Sequence, residues 1–545
     1  MKKRHAILVL VLMGRALLVP AQEDAGFGFG GVEDTDAGFG FGPDGGGSGP
    51  SAAPLAGARI GGKVSAGITF FPDDFLAKGD EGALDRAKKA ELGDIFSGEL
   101  SFSAEASNAD AVINLRLSPN FKEPAEILLF DEAYIRAFFG KLMVEGGLRK
   151  LTWGRADSFG PLDLTNPFDY SDMSRMTDFS ALKIARPMLR ASWGIGLFTK
   201  IEGVFVPWFE GDRFAGQGRW KPLQLRQAER IPGRVEEKLI SDLAPLARTL
   251  PPGFGLTFDD LIAIMPQSDA PFSGPAELIP ATSSLEYFQG GLRFTTTLGP
   301  ADFGAQYYYG LHSRPSYRIG PGAYDNLKET LIAYYTSYIF AKGIGNSDDD
   351  AAAAAEPYKA AVEAAMNPSA LFDVTYNRYH HIGVDYAQVL FGFNARAELA
   401  ANITGDLSGD DGLVYNPALA WSLGFDRDIP VVRINANFQL NGKITLLHDR
   451  LGTDPLFDVE AGSRPTSTRL TLRLSRAFVQ DKLELRAAAI WGIEDRDCYL
   501  IPSVTWTEGD LSLEVAGGIF AGDRDGGLGQ YRDNYFVKTL LSYSF

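Results

Sequence analysis

Apolar and polar residues alternate along most of the chain from Ala58 to Phe545. Between Val432 and Leu440 the even-numbered positions are apolar, whereas the odd-numbered positions from Arg433 to Lys443 are polar or charged. Because successive side chains of a β-strand point to opposite faces, this period of two predicts strands with one apolar and one polar face. About 18 such segments can be counted, with 16 as the alternative. They are 58–71, 94–107, 109–118, 128–138, 141–150, 182–193, 195–208, 285–298, 301–312, 372–387, 389–403, 413–427, 430–446, 466–478, 481–492, 496–507, 510–522 and 533–545.

The connections between these segments alternate in length. Even-numbered connections are tight turns, such as Gly140 and Gly299-Pro300, whereas most odd-numbered connections are long. A soluble β-sandwich has the same strand alternation, but it has no reason to place all short turns at one end. The pattern therefore predicts an all-β fold, a transmembrane antiparallel β-barrel with long extracellular loops and both termini on the periplasmic side. The longest loops, 209–284 and 313–371, contain helix-like runs at Val235–Leu243, Asn326–Ala341 and Ala351–Met366.

Composition and the N-terminus narrow the class of protein. The 545 residues carry a formal charge of −17, which excludes nucleic acid as a partner because a polyanion needs a basic binding surface. No window of about 18 uncharged apolar residues follows the N-terminal region, so a helical membrane protein is excluded. A basic start, an apolar stretch and small residues before Gln22 predict a signal peptide over residues 1–21. The repeats at Asp24–Gly30 and Asp36–Gly42 predict a Gly/Phe-rich flexible periplasmic segment over 22–57, which leaves 58–545 for the barrel.

The C-terminus has the most specific motif. Val537, Thr539, Leu541, Tyr543 and Phe545 occupy alternate positions up to the terminal carboxylate. This pattern resembles the C-terminal assembly signal of bacterial outer-membrane barrels, with its terminal Phe and an aromatic residue two positions before it. The resemblance implies a location in the cell outer membrane, contact with outer-membrane lipid, and insertion by the barrel-assembly machinery.

A second motif follows the fifth predicted strand. The segment has Trp153-Gly154, Asn166-Pro167 and Asp169 at its landmarks. It resembles a segment of poorly characterised porin-like outer-membrane proteins. Two interpretations remain open: a loop that folds into the barrel and narrows the pore, or an ordinary structured loop outside it.

The polar faces of the strands predict the pore wall. A water-filled lumen needs a polar wall, and rings of charge can set ion selectivity. Since the chain is net acidic, we expect an acidic vestibule above an arginine-containing wall. The predicted pore-lining residues are Arg116, Arg136, Arg149, Arg190, Arg293, Arg396, Glu398, Arg433, Arg473 and Arg486.

No catalytic or metal-binding motif emerges from the sequence. There is no Gly-x-Ser-x-Gly, no His-Glu-x-x-His and no phosphate-binding loop. His380 and His381 are adjacent and point to opposite faces of a strand, and the acidic loop at 406–412 lacks the terminal Glu of a calcium loop. We therefore predict neither enzymatic activity nor a cofactor or metal. The predicted function is a porin-type channel for passive diffusion of small hydrophilic solutes. A substrate-specific channel, or a surface adhesin or structural protein that uses the barrel as an anchor, is the alternative, and the oligomeric state stays undetermined.

Overall fold

One sheet of 18 strands forms most of the molecule and confirms the predicted strand count. The computed structural model describes residues 57–76, 96–117, 128–177, 180–248 and 274–545. The predicted signal peptide (1–21) and Gly/Phe-rich segment (22–57) lie outside the described residues, except for Gly57. The strands are β1 (Gly57–Phe70), β2 (Phe96–Glu105), β3 (Ala109–Leu117), β4 (Leu128–Phe139), β5 (Leu142–Arg149), β6 (Arg186–Ile195), β7 (Thr199–Val206), β8 (Gln289–Leu298), β9 (Ala301–Leu311), β10 (Arg378–Leu390), β11 (Phe393–Thr404), β12 (Ala418–Ile429), β13 (Ile434–Thr445), β14 (Thr466–Phe478), β15 (Leu483–Gly492), β16 (Asp497–Glu508), β17 (Leu511–Gly522) and β18 (Phe536–Ser544).

The sheet closes on itself. Each strand is antiparallel to its neighbours in sequence, and β1 pairs with both β2 and β18. The terminal residue continues this pairing, because the N–H of Phe545 donates to the carbonyl of Gly62 and the N–H of Gly62 donates to the carbonyl of Phe545, both at 2.9 Å. Closure leaves no strand edge with unpaired backbone groups, which a structure surrounded by hydrocarbon requires.

The tight turns lie at one end of the barrel and most of the long loops lie at the other, as predicted. The tight turns include 140–141 and 299–300, and the long loops at the other end include 150–185, 207–288 and 312–377. One strand boundary differs from the prediction in a way that affects the pore wall. The segment predicted to start at 430 begins as a strand only at Ile434, because residues 430–433 form the turn between β12 and β13.

The outward face of the strands is apolar and exposed. Examples are Ile60 (68% exposed), Leu189 (59%) and Leu292 (61%). A soluble surface rarely exposes a continuous apolar belt of this kind, whereas a transmembrane barrel presents it to lipid. Tyr543 and Phe545 of the C-terminal motif lie on this outward face.

Helices pack together at the long-loop end. The helices are α1 (Pro72–Leu76), α2 (Leu223–Ala228), α3 (Ile231–Arg248), α4 (Ala323–Gly343), α5 (Asp348–Ala365) and α6 (Pro368–Leu371), so the predicted helical runs in both loops are confirmed. α3 buries Val235 and Leu239 at helical spacing against Leu327 and Leu331 of α4. In the described part of the chain, no helix has the length and apolarity to cross a membrane.

Candidate functional site

The inward face of the barrel carries charged side chains that neighbouring strands bring into pairs. Asp110 of β3 stands opposite Arg136 of β4 in the register, and the Nε of Arg136 lies 3.0 Å from Oδ1 of Asp110. Arg190 of β6 pairs with Glu202 of β7 at 2.6 Å along a diagonal, because Glu202 stands opposite Ser192 in the register. An ion inside a low-dielectric structure needs such a partner, so the alternating polar face becomes a wall of ion pairs.

Nine of the ten predicted pore-lining residues lie on strands with their side chains inward, and the tenth does not. Arg433 lies in the turn 430–433, exposed and with a φ of 50°, so its placement on a strand wall was wrong. The physical reason is that the turn residues happen to continue the alternation of the strand that follows. The nine inward residues are Arg116, Arg136, Arg149, Arg190, Arg293, Arg396, Glu398, Arg473 and Arg486.

Several of these residues are shielded from water. Arg149, Arg190 and Arg293 are each at most 7% exposed. Arg293 donates Nη2 to Asp385 at 2.6 Å and Nη1 to Gln306 at 2.5 Å. Such buried arginines hold the wall together and support whatever covers them. They do not face an open aqueous bore.

The segment that covers these arginines is the connection between β5 and β6, residues 150–185. Its base is closed by Asn166, whose Nδ2 donates to the carbonyls of Arg149 (2.9 Å) and Ile184 (2.8 Å) and whose Oδ1 accepts from the N–H of Leu151 (2.8 Å). Trp153 is buried, and its Nε1 donates to Oε1 of Glu202 at 2.5 Å. The Trp-Gly and Asn-Pro landmarks of the motif therefore tie this loop to the inner wall.

The tip of the loop bonds to β10 and β11, five strands around the barrel from β5 and β6. Glu398 of β11 accepts hydrogen bonds from the N–H groups of Arg155 and of Ala156, the latter at 2.7 Å. The side chain of Arg155 also reaches Asp385 of β10 at 2.7 Å. Gly154, with a φ of 98°, lies against this carboxylate, because an added Cβ would stand 2.5 Å from Oε1 of Glu398. Glycine is therefore required where backbone and carboxylate meet.

The next two residues extend the attachment to β13. Asp157 accepts from Arg396 at 2.5 Å and from Asn437 at 2.6 Å. Gln439, fully buried, accepts from the N–H groups of Asp157 and Ser158 and donates back to the carbonyl of Ser158. Four consecutive residues of the loop thus have wall partners on β10, β11 and β13.

The second half of the loop packs against β16 and β17 through apolar side chains. Met173, Met176 and Leu182 are buried in one cluster with Tyr499 of β16 and Phe520 of β17. The hydroxyl of Tyr499 donates to the carbonyl of Met173 at 3.3 Å. The loop 150–185 therefore crosses the lumen from one wall to the other, which decides between the two interpretations left open by the sequence.

The outer loops are bonded to this crossing segment. Asp212 accepts from the N–H of Phe168 at 2.9 Å and from the hydroxyl of Ser313 at 2.7 Å, so one carboxylate connects three long loops. Burial raises the pKa of Asp212 above its ordinary value, although both hydrogen bonds oppose the rise. Burial also lowers the pKa of His312, the residue before Ser313, to about 3. The mouth of the barrel is therefore a packed structure.

A polar chamber of about 550 Å³ remains between the loop tip and the short-turn end of β9–β15. The strand register explains its composition. Asn394, Asp426, Asn437 and Arg473 stand opposite one another on four adjacent strands, and Ser475 stands opposite Arg486 in the next row. Charged groups of both signs line it: Asp157, Asp302, Asp426, Arg396, Arg473 and Arg486.

Sequence reasoning missed part of this site. Asp157, Asp385 and Gln439 were not singled out as wall or loop anchors, although Gln439 lies on the alternating polar face and Asp157 inside the Trp-Gly…Asn-Pro motif. No pattern in the sequence states that positions separated by more than 200 residues meet across a lumen. Within the described ranges, no group of three or more His, Cys, Asp or Glu side chains is arranged to hold a metal ion.

Comparison with known proteins does not assign this chain to a family. No family model and no curated protein matches the chain. Among solved structures, Salmonella typhi OmpF in complex with daunomycin is 7% identical, with 90% of this chain and 97% of that chain covered and a TM-score of 0.35. Escherichia coli Wzi, an outer-membrane protein involved in group 1 capsule assembly and described as a carbohydrate-binding β-barrel, is 8% identical, with coverages of 90% and 85% and a TM-score of 0.39. Acinetobacter baumannii OccAB4 is 7% identical, with coverages of 90% and 98% and a TM-score of 0.42. At these values the strand pairing of the chain itself, and not the comparison, establishes the barrel.

Proposed function

We propose that the protein is a channel of the bacterial outer membrane for small hydrophilic solutes, narrowed by the loop 150–185. The observation that carries this proposal is the crossing loop. A closed barrel of about 16–18 strands has a lumen wide enough for water. Here hydrogen bonds at the tip and apolar packing beyond it hold a loop across that lumen and leave a polar chamber below.

The same observation favours a solute-selective channel over a wide diffusion pore. A solute has to pass the loop tip at Arg155–Ser158 and the chamber beneath it, where guanidinium, carboxylate and carboxamide groups are within reach of its polar groups. Walls of this kind select by hydrogen bonding and charge as well as by size. We propose that the solute moves passively down its concentration gradient through this chamber.

In this proposal, the C-terminal motif directs the assembly of the barrel. Val537, Thr539, Leu541, Tyr543 and Phe545 form the outward face of the closing strand, where the barrel-assembly machinery would recognise them. The signal peptide over 1–21 would direct the chain across the inner membrane, and lipid of the outer membrane would cover the apolar belt.

Conductance in planar bilayers tests the channel proposal. We expect small, discrete conductance steps from the wild-type protein and larger steps from the loop variant Glu398→Ala. Insertion is checked independently by heat-modifiable migration on gels. Correctly inserted protein that conducts neither as wild type nor as Glu398→Ala would refute a channel.

A surface-binding role is the second candidate, because α3–α6 form a packed unit with its own buried core at the long-loop end. Phe340 and Ile344 of this unit are 68% and 66% exposed. Deletion of α4 and α5 distinguishes the two roles. Retained conductance with lost adhesion to surfaces would assign the helices to binding.

A further inference from the structure

The outer wall of β7–β10 is not a uniform apolar belt. Large side chains there surround a groove of about 300 Å³ whose floor is the small residue Ala305 of β9. In the register, Phe294 of β8 and Val384 of β10 stand on either side of Ala305. The other outward side chains that line the groove are Ile201, Leu292, Tyr307 and Ile382.

Polar and cationic groups lie at the long-loop end of this groove. Tyr307 is the next outward residue of β9 after Ala305, and its hydroxyl lies 2.7 Å from Nδ1 of the exposed His380. The guanidinium of Arg378 stacks over Tyr309 at 4.8 Å, and it donates through Nη1 to the carbonyl of Phe288 at 2.9 Å and through Nη2 to the carbonyl of Glu286. A cation, an imidazole and a phenol thus stand together at the level where lipid headgroups begin.

The two features have the geometry of an amphiphile. An apolar groove along the wall suits an acyl chain, and the cationic and hydrogen-bonding end suits an anionic headgroup. Arg378 keeps its charge in this position, and each of its Nη atoms carries a second N–H that can donate to a phosphate oxygen. Without an anionic headgroup beside it, the arginine at this rim would lack this charge-assisted interaction.

We propose that the outer wall of β7–β10 binds a phosphorylated lipid of the leaflet at the long-loop end, with an acyl chain over Ala305 and a phosphate at Arg378 and His380. The site is separate from the lumen, so the proposal does not depend on the channel function. It predicts a lipid that stays bound when the bulk of the membrane is removed by detergent.

Native mass spectrometry of the purified barrel with added lipid A, a phosphorylated amphiphile, tests the site. The variant Ala305→Leu fills the floor of the groove, and the pair Arg378→Gln with His380→Gln removes the headgroup contacts. We expect lipid A binding to weaken about tenfold in each, the effect of losing one good charge-assisted hydrogen bond or an equivalent apolar contact. The variant Arg378→Lys, which keeps the charge, should bind more tightly than Arg378→Gln.

Ala487→Leu is the matched control, because Ala487 is an outward-facing small residue of β15, between Leu474 of β14 and Pro502 of β16 and far from the groove. It should bind lipid A as the wild type does. Unchanged binding in the groove variants, or equal loss in Ala487→Leu, would overturn the proposal. A change in oligomeric mass in Ala305→Leu without a change in lipid would assign the groove to contact between two copies and would also overturn it.

Discussion

Glu398 holds the tip of the crossing loop, so its removal should open the barrel. The substitution Glu398→Ala deletes the acceptor for two backbone N–H groups, those of Arg155 and Ala156. Glu398 is 4% exposed, so these bonds are poorly screened by solvent. A hydrogen bond to a charged group contributes about 1.5–3 kcal/mol. The lower end of that range for two bonds is about 3 kcal/mol.

A loss of this much binding energy at the loop tip should change the measured single-channel conductance. At about 1.4 kcal/mol for each factor of ten, the ratio of displaced to docked loop rises about 100-fold. We expect single-channel recordings of Glu398→Ala to show longer and larger openings than the wild type. Glu398→Gln should be intermediate, because both N–H groups donate to the single oxygen Oε1, and a carboxamide oxygen in its place still accepts both bonds but without the charge.

Asp110→Asn is the control for loss of a lumen carboxylate as such. Asp110 pairs with Arg136 on the neighbouring strand, and its hydrogen bonds do not involve the loop. Conductance of Glu398→Ala that equals the wild type would contradict the assigned role of this anchor. An equal increase in Asp110→Asn would show that charge in the lumen, and not loop position, sets the conductance.

Three further predictions concern the chamber, the mouth and the terminus. Replacing both Arg473 and Arg486 by Gln should shift the reversal potential in a salt gradient toward cations, whereas Arg433→Gln, in an exposed turn, should leave it unchanged; the opposite ranking would exclude a selectivity role for the chamber. Since burial lowers the pKa of His312 to about 3, below the 6.5 of the unfolded residue, stability should be lost as the pH falls below about 6.5; thermal unfolding between pH 7 and 5 should therefore be more pH-dependent in the wild type than in His312→Gln, and equal slopes would contradict this. Deletion of Phe545 removes two hydrogen bonds at the barrel closure, each contributing about 1 kcal/mol, and should lower the heat-modifiable fraction recovered from outer membranes; an unchanged fraction would argue against its role in assembly.

Much of the barrel could be predicted from the chain because its signal is local. The alternation around Phe438 and Leu440 assigns an inward and an outward face without knowledge of any neighbour. Turn residues such as Gly140 and Gly299 mark the strand ends, and their alternation with the long loops distinguishes the two ends of the barrel. The same local rule failed at Arg433, where turn residues imitate the period of a strand, since periodicity reports the order of polar and apolar residues and not backbone dihedral angles.

The sequence by itself determined the strand count, the two faces of the wall and the end that carries the loops, because each depends on a period of two or on the residues of a turn. Only the tertiary structure decided that residues 150–185 enter the lumen and cross it. That outcome depends on Ala156 meeting Glu398 and on Ser158 meeting Gln439, contacts between positions more than 200 residues apart that the curvature and register of the closed sheet bring together. Buried polar groups must find partners, but which partners they find is settled by the geometry of the whole barrel.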